Sequence, residues 1–322
     1  MSVPSIGTKG RTVLAVAGSA IASLVDGDIG TGTANNGRAV EHLQNTLGLS
    51  QQMVRTNGMR GDVDHHGDRT RYNIRNVGGR IVLAPSPTEL SNLRAILFGT
   101  SGALTTAGPI EFDAFVDRDQ RRFIYTGCRV TRAEFRSATG GMLSLTLDIV
   151  AKDETNVATA LPALAIPSQA PMMHHDSANA IILNSGGSTA LTLEPTELMW
   201  AINHVMKEDC YYNSLTRTVI PQVDRVVDVM TVVPYNDLMI AAGLHEMPYA
   251  GFGATTNIGR MNIGYTAVET GNIGFSCILP KVKWSRQSPE DDGRTEIMLS
   301  LAGQAFKLTD AGRPIESIAY VT

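Results

Sequence analysis

The chain has 322 residues, 43% hydrophobic and 18% charged, with a formal net charge of −4 from 27 basic and 31 acidic side chains. That length suits about two domains of roughly 150 residues each, and the lack of any basic block excludes the electrostatic footprint of a protein that grips nucleic acid. Cys128, Cys210 and Cys277 stand far apart without a C-x-x-C, which fits a reducing compartment better than a secreted disulfide scaffold.

Near the N-terminus, "KGRTVLAVAGSAIASLV" puts Lys9 and Arg11 ahead of a mild apolar run. Gly18, Ser19 and Ser23 dilute it, and it falls short of the about 20 apolar residues a membrane span needs. It reads as a strand or an N-terminal arm rather than a signal peptide. "GDIGTGTANNG" has Gly30 and Gly32 but no P-loop lysine, so it reads as a flexible loop. "AVEHLQNTLGL" is ambiguous between strand and helix.

Residues 57–71, "NGMRGDVDHHGDRTR", crowd two histidines, three aspartates and three arginines between glycines. Asp64, His65, His66 and Asp68 invite a metal reading. Adjacent histidines on an extended segment point to opposite sides, however, and neither H-x-H nor H-E-x-x-H spacing is present. A second copy weakens the metal reading further. In "NSLTRTVIPQVDRVV", Asn213, Asp224 and Arg225 repeat Asn57, Asp68 and Arg69 at an offset of 156, and no histidine is kept. The shared element is a charged hairpin tip. Arg60, Asp62, Asp64, Asp68, Arg69 and Arg71 in one copy, with Arg217, Asp224 and Arg225 in the other, are candidates for bidentate salt bridges across an interface. Solvated tips are the alternative.

"SPTELSNLRAILFG" predicts a helix. Ser86 and Glu89 form a capping box, Pro87 takes the first helical position, and Gly99 supplies a stop. Leu90, Leu93 and Leu97 share a face. Phe123 and Val130 lie in a strand-like run, "SATGG" turns the chain, and "MLSLTLDIV" alternates apolar and polar residues as a half-buried strand does. "TALPALAIPSQAPMM", broken by Pro162, Pro167 and Pro171, reads as a linker over 159–171. His174 and His175 follow it as a solvated pair.

The second half repeats these landmarks. "PTEL" recurs at 195–198, but alternation of Leu198, Trp200 and Ile202 makes 196–206 a strand. Pro234 answers Pro85 and Leu238 answers Leu90, placing a second short helix after it. Phe275 and Val282 match Phe123 and Val130 at 152, and Ile297, Leu299 and Leu301 match Leu143, Leu145 and Leu147 at 154. Two copies of one β-rich fold are expected, at 1–158 and 172–322. No G-x-S-x-G or phosphate loop is present, and Cys128 and Cys277 sit in strand-like runs, so a catalytic set is not assembled. A metal-dependent hydrolase using "DVDHH" and a ligand-binding surface β-sandwich remain as competing readings, the latter with only Trp200 and Trp284 as aromatic platforms.

The motifs "VRTNGMRGDVDHHGDRTR", "GGRIVLAPSPTEL", "YYNSLTRTVIPQVDRVVDVMTVVPYND" and "LSLTLDIVAKDE" together resemble the two-domain tail tube proteins of long-tailed bacteriophages. The resemblance implies a mainly β protein of two tandem β-sandwich or barrel domains, each with one short helix. It further implies a structural virion component without cofactor or catalysis, whose rings stack into a hollow conduit for DNA. Implied partners are further copies of the chain, the tape measure protein, the tail terminator and distal tail proteins. Duplication would let three chains imitate six positions, and a mildly acidic surface suits a lumen that must not hold phosphate.

Overall fold

The computed structural model describes residues 10–55, 70–99, 108–166, 168–177, 182–185, 191–208, 214–235, 258–267, 273–285, 297–307, 314–315 and 317–321. Among the described residues the chain is mainly β and folds as a β-sandwich. The first-half strands are β1 (Arg11–Val16), β2 (Val25–Asp26), β3 (Asn36–Val40), β4 (Gln44–Asn45), β5 (Gly48–Arg55), β6 (Thr70–Leu83), β7 (Phe112–Asp117), β8 (Arg122–Ala138), β9 (Ser144–Ala151) and β10 (Asp153–Val157). Helix α1 (Pro87–Phe98) lies between β6 and β7. The remaining strands are β11 (Ile182–Ser185), β12 (Leu191–Thr192), β13 (Glu197–Met206), β14 (Gln222–Pro234), β15 (Ile258–Ala267), β16 (Ile273–Trp284), β17 (Met298–Phe306) and β18 (Ser317–Val321).

One sheet runs β2-β3-β1-β7-β8-β10. Midway along, β8 leaves it: Arg122–Cys128 pair with β7, whereas Arg129–Arg136 pair with β9 in the second sheet. The second sheet orders β4 and β5 beside β6, then β9, β8, β13, β14, β17, β16, β15, β11 and β12, with β18 also on β16. Burial on β9 alternates strictly, with Leu145, Leu147, Ile149 and Ala151 inside. The period-two sequence pattern therefore sets which face meets the core.

The pairing pattern recurs along the chain. β6 lies between β5 and β9 as β14 lies between β13 and β17, and Ile81 faces Leu147 as Thr231 faces Leu301. In the same order, β8 takes β7, β9 and β10 while β16 takes β15, β17 and β18.

Helix α1 forms as its sequence dictates. Glu89 N–H donates to Ser86 Oγ at 3.3 Å and Ser86 N–H donates to Glu89 Oε2 at 2.9 Å. Leu90, Leu93 and Leu97 are fully buried. Gly99 ends the helix at φ 108°, positive but outside the left-handed helical well. The second expected helix, after Pro234, falls outside the described residues. The ambiguous 39–49 stretch contains no helix and breaks into the end of β3, β4 and the start of β5, and Gly79 explains part of the path. At φ 155° it lets Thr46 cross so closely that a Cβ would stand 2.5 Å from the Thr46 carbonyl oxygen.

Two segments expected to be loose are packed instead. In "GDIGTGTANNG", a 3-10 turn at Ile29–Thr31 buries Ile29 in the core, and Asp28 binds Arg94 of α1 at 3.0 Å. The flexible-loop reading missed the apolar anchor supplied by one isoleucine. Along the proline-rich link, Leu161 and Leu164 are buried against Val13 and Phe115, and Ala165 N–H donates to Asp26 at 3.0 Å. Low charge there goes with burial.

One core runs through both halves. Trp200 of β13 stacks on Phe135 of β8 with ring centroids 4.0 Å apart and planes 1° off parallel, flanked by Phe275 and Phe98 at 6.1 and 6.4 Å. Directly beneath, β8 and β13 pair backbone to backbone over Arg132–Ala138 and Glu197–Asn203.

Candidate assembly surface

Of the charged residues singled out by the repeat, Arg60, Asp62, Asp64, Asp68 and Arg69 lie outside the described residues, as do His65 and His66. Their flanks are set: Arg55 and Thr70 are cross-strand partners in the β5–β6 ladder. Arg71 is exposed on β6 opposite Val54. Asp224 is exposed and Arg225 half-buried on β14, opposite Val205 and His204. Arg225 N–H donates to Asp224 Oδ1 at 2.7 Å, a local turn-like bond.

Arg217 is placed differently from a free tip. It is 8% exposed, and its guanidinium donates to the carbonyls of Val77 and Ala151 at 3.0 and 3.1 Å, to Asn76 Oδ1 at 3.3 Å and to Glu208 at 2.5 Å. Arg75 N–H donates to the Leu215 carbonyl at 2.8 Å. The connection between β13 and β14 therefore docks on the outer stretch of β6, with Arg217 as its clamp. A guanidinium is suited to this because its five donors can fork onto several acceptors at once. The structure thus docks the described part of the second charged copy, 214–217, on β6.

Both hairpins carry exposed apolar side chains beyond the core. Met53 and Tyr72 are cross-strand partners and each 66% exposed, Val54 and Ile74 are exposed beside them, and Val205 and Val223 stand on the other pair of strands, Val223 at 66%. Single surface apolar residues are ordinary; here they stand in two groups at the ends of the β5–β6 and β13–β14 ladders. The charge pattern drew attention to the tips and passed over these residues.

Chemistry for catalysis is weak among the described residues. No three His, Cys, Asp or Glu side chains there group as metal ligands. Cys128 and Cys277 are buried, and burial pushes both thiols up, away from thiolate. Asp113 is a buried strut: its carboxylate accepts from Gly18 and Gly127 N–H at 2.7 and 2.8 Å, and burial raises its pKa against those two bonds. His175 is exposed, 3.9 Å from Asp176.

The sequence profile of the family described as phage tail tube protein matches residues 13–197, more than half of the chain. The chain belongs to the phage tail tube protein family. No curated protein matches it. Family membership makes this tail tube chain a component of the virion tail that assembles into a tube with other phage tail proteins. No helix among the described residues is long and apolar enough to cross a membrane.

His204, which sequence reasoning left unused, sits beneath the second hairpin of this tail tube chain. It is buried, and burial lowers its pKa to about 4, the Arg225 guanidinium acting in the same direction. The Leu97 backbone and Gln222 side chain oppose the shift from positions outside good hydrogen-bond geometry. A histidine depressed in the folded state binds its proton more readily when unfolded. Its neutral form is therefore fully tolerated above about 6.5, and stability falls as pH drops from there toward 4. His204→Gln is expected to flatten this part of the stability profile, read from urea midpoints at a series of pH values. An unchanged slope would show that other groups govern it.

Proposed function

We propose that the chain is the major tail tube subunit, that three copies close into a pseudo-sixfold ring, and that rings stack into a hollow conduit for the genome. The observation that carries this reading is the strand ladder repeated within one chain, β5-β6-β9-β8 followed by β13-β14-β17-β16. A duplicated fold supplies two quasi-equivalent positions per chain, so threefold closure gives six. The duplicated units are assigned to 1–158 and 172–322, with 159–171 between them. The protein acts structurally, without cofactor or catalysis. DNA passes without specific binding, consistent with a net charge of −4. The tape measure protein, the tail terminator and the distal tail proteins are its proposed neighbours in the virion.

Negative-stain microscopy of purified protein is expected to show rings or tubes, and mass measurement on an isolated ring is expected to give three chains. Six chains per ring would overturn the pseudo-sixfold arrangement, and a persistent monomer under all conditions would overturn the reading as a whole.

The hairpin ends carry the axial contacts in this proposal: the charged residues of 60–71, with Asp224 and Arg225, beside the exposed Met53, Tyr72, Val205 and Val223. Arg217 is set apart, its guanidinium already engaged within the chain. Arg225→Ala is expected to leave the subunit folded yet weaken tube assembly by roughly 2 kcal/mol, the low end for breaking a desolvated interfacial pair. Wild-type assembly in light-scattering titrations of this variant would remove Arg225 from the interface.

A further inference from the structure

Two arginines tie the connection between β13 and β14 to the first half of the chain. Arg217 reaches from the second half and donates to the Val77 carbonyl of β6 at 3.0 Å and to the Ala151 carbonyl of β9 at 3.1 Å. Val77 and Ala151 are cross-strand partners, so one guanidinium spans two adjacent strands. Arg75 belongs to the first half. Its N–H donates to the Leu215 carbonyl at 2.8 Å, while its guanidinium is held on β10, 2.7 Å from Asp153 and 2.8 Å from the Glu154 carbonyl. β6 and β9, braced by β10, thus latch residues 215–217 in place.

What the latch holds is mostly surface. Within 214–221 only Arg217 and Ile220 are buried, and Leu215 and Val219 are 56% and 48% exposed. The bond at Arg75 sets Leu215 beside the residue that follows Ile74, on the stretch of β6 where Tyr72 and Ile74 are themselves exposed. Exposed apolar groups from both halves therefore meet at one stretch of one strand. Little burial holds Leu215 there, so its position depends on the polar bonds made by Arg75 and Arg217.

We propose that Arg217, with Arg75 beside it, is a positioning residue for assembly: it fixes the second hairpin on the first half before a neighbouring copy of this chain arrives, and itself touches no residue of that copy. This role rests on the tube reading. A surface segment ordered in advance loses no further freedom on association, so it binds more tightly than the same residues left loose. Arginine suits the place because the ammonium of a lysine cannot fork onto carbonyls of two strands. The role differs from that of Arg225, whose removal is expected to delete a contact across the interface.

Light-scattering titration of the full chain gives the threshold concentration at which assembly begins. At a temperature where melting curves show the variant folded, Arg217→Ala is expected to raise that threshold about tenfold, the size of one lost preorganised segment. The comparison is Leu93→Ala, which hollows the core beneath α1 and leaves the latch intact. It is expected to lose at least as much melting temperature and to keep the wild-type threshold. An equal rise for both variants would reduce Arg217 to a stabilising residue and overturn the proposal. A wild-type threshold for Arg217→Ala would overturn it too, and either result leaves the tube reading standing. If wild-type protein forms no rings or tubes, the tube reading fails and the assembly role fails with it. Should Arg217→Ala not fold, Arg217→Lys decides. It keeps the charge without the fork and is expected to raise the threshold about threefold, whereas a wild-type threshold would overturn the proposal.

Discussion

Trp200→Ala is expected to lower the unfolding free energy by about 3–5 kcal/mol, the range for truncating a large buried aromatic residue. Trp200 is 1% exposed and lies in the middle of a stack, with Phe135 at 4.0 Å on one side and Phe275 and Phe98 farther out. The residues it touches come from both halves of the chain, so a cavity there cannot be filled by shifting a single hairpin. Stacking adds to the area term, since parallel ring pairs contribute about 0.5–1.5 kcal/mol beyond burial. The indole Nε1 has no hydrogen-bond partner among the described residues. Trp200→Phe should therefore cost far less than the alanine change, because it keeps a ring and removes an unpaired donor. Urea denaturation of the three proteins checks the order. A loss below about 1 kcal/mol for the alanine variant would mean that the stack does not join the halves energetically.

Arg217→Ala is expected to cost about 2–3 kcal/mol. Hydrogen bonds from a charged donor contribute about 1.5–3 kcal/mol, and this guanidinium makes four contacts in a nearly buried setting. The loss stays below the about 3–5 kcal/mol of a fully buried ion pair, because Glu208 is 37% exposed on its side chain and water can recover its carboxylate. Arg217→Lys should recover only part of it, since an ammonium cannot fork onto the Val77 and Ala151 carbonyls together. The distinctive readout is local. Release of the clamp should speed exchange at the Arg75 amide, which donates to the Leu215 carbonyl. Unchanged exchange at Arg75 alongside full destabilisation would place the effect elsewhere.

Elements whose cause is local were legible from the residues alone. The capping box of Ser86 and Glu89 and the Leu90, Leu93 and Leu97 face specify α1 within one stretch of chain. The alternation in "LSLTLDIV" specifies a half-buried strand, since successive side chains of extended backbone point to opposite faces. Alternation of Leu198, Trp200 and Ile202 likewise separated the second "PTEL" from the first, and the spacing of repeated landmarks pointed to the recurring ladder. Family likeness followed from such motifs, and the profile match over 13–197 agrees with it.

Which strand stands beside which is set by long-range packing. A period-two pattern fixes the face a residue points to but carries no information on which strand lies at its edge, because edge pairing is made by backbone groups that every residue shares. The β8–β13 pairing was therefore invisible, although Trp200 lay in a recognised alternating run. Arg217 looked like its exposed neighbours in a charged tip. What distinguishes it is the pair of carbonyls from Val77 and Ala151, more than 60 residues away in sequence, that the fold brings within 3.1 Å.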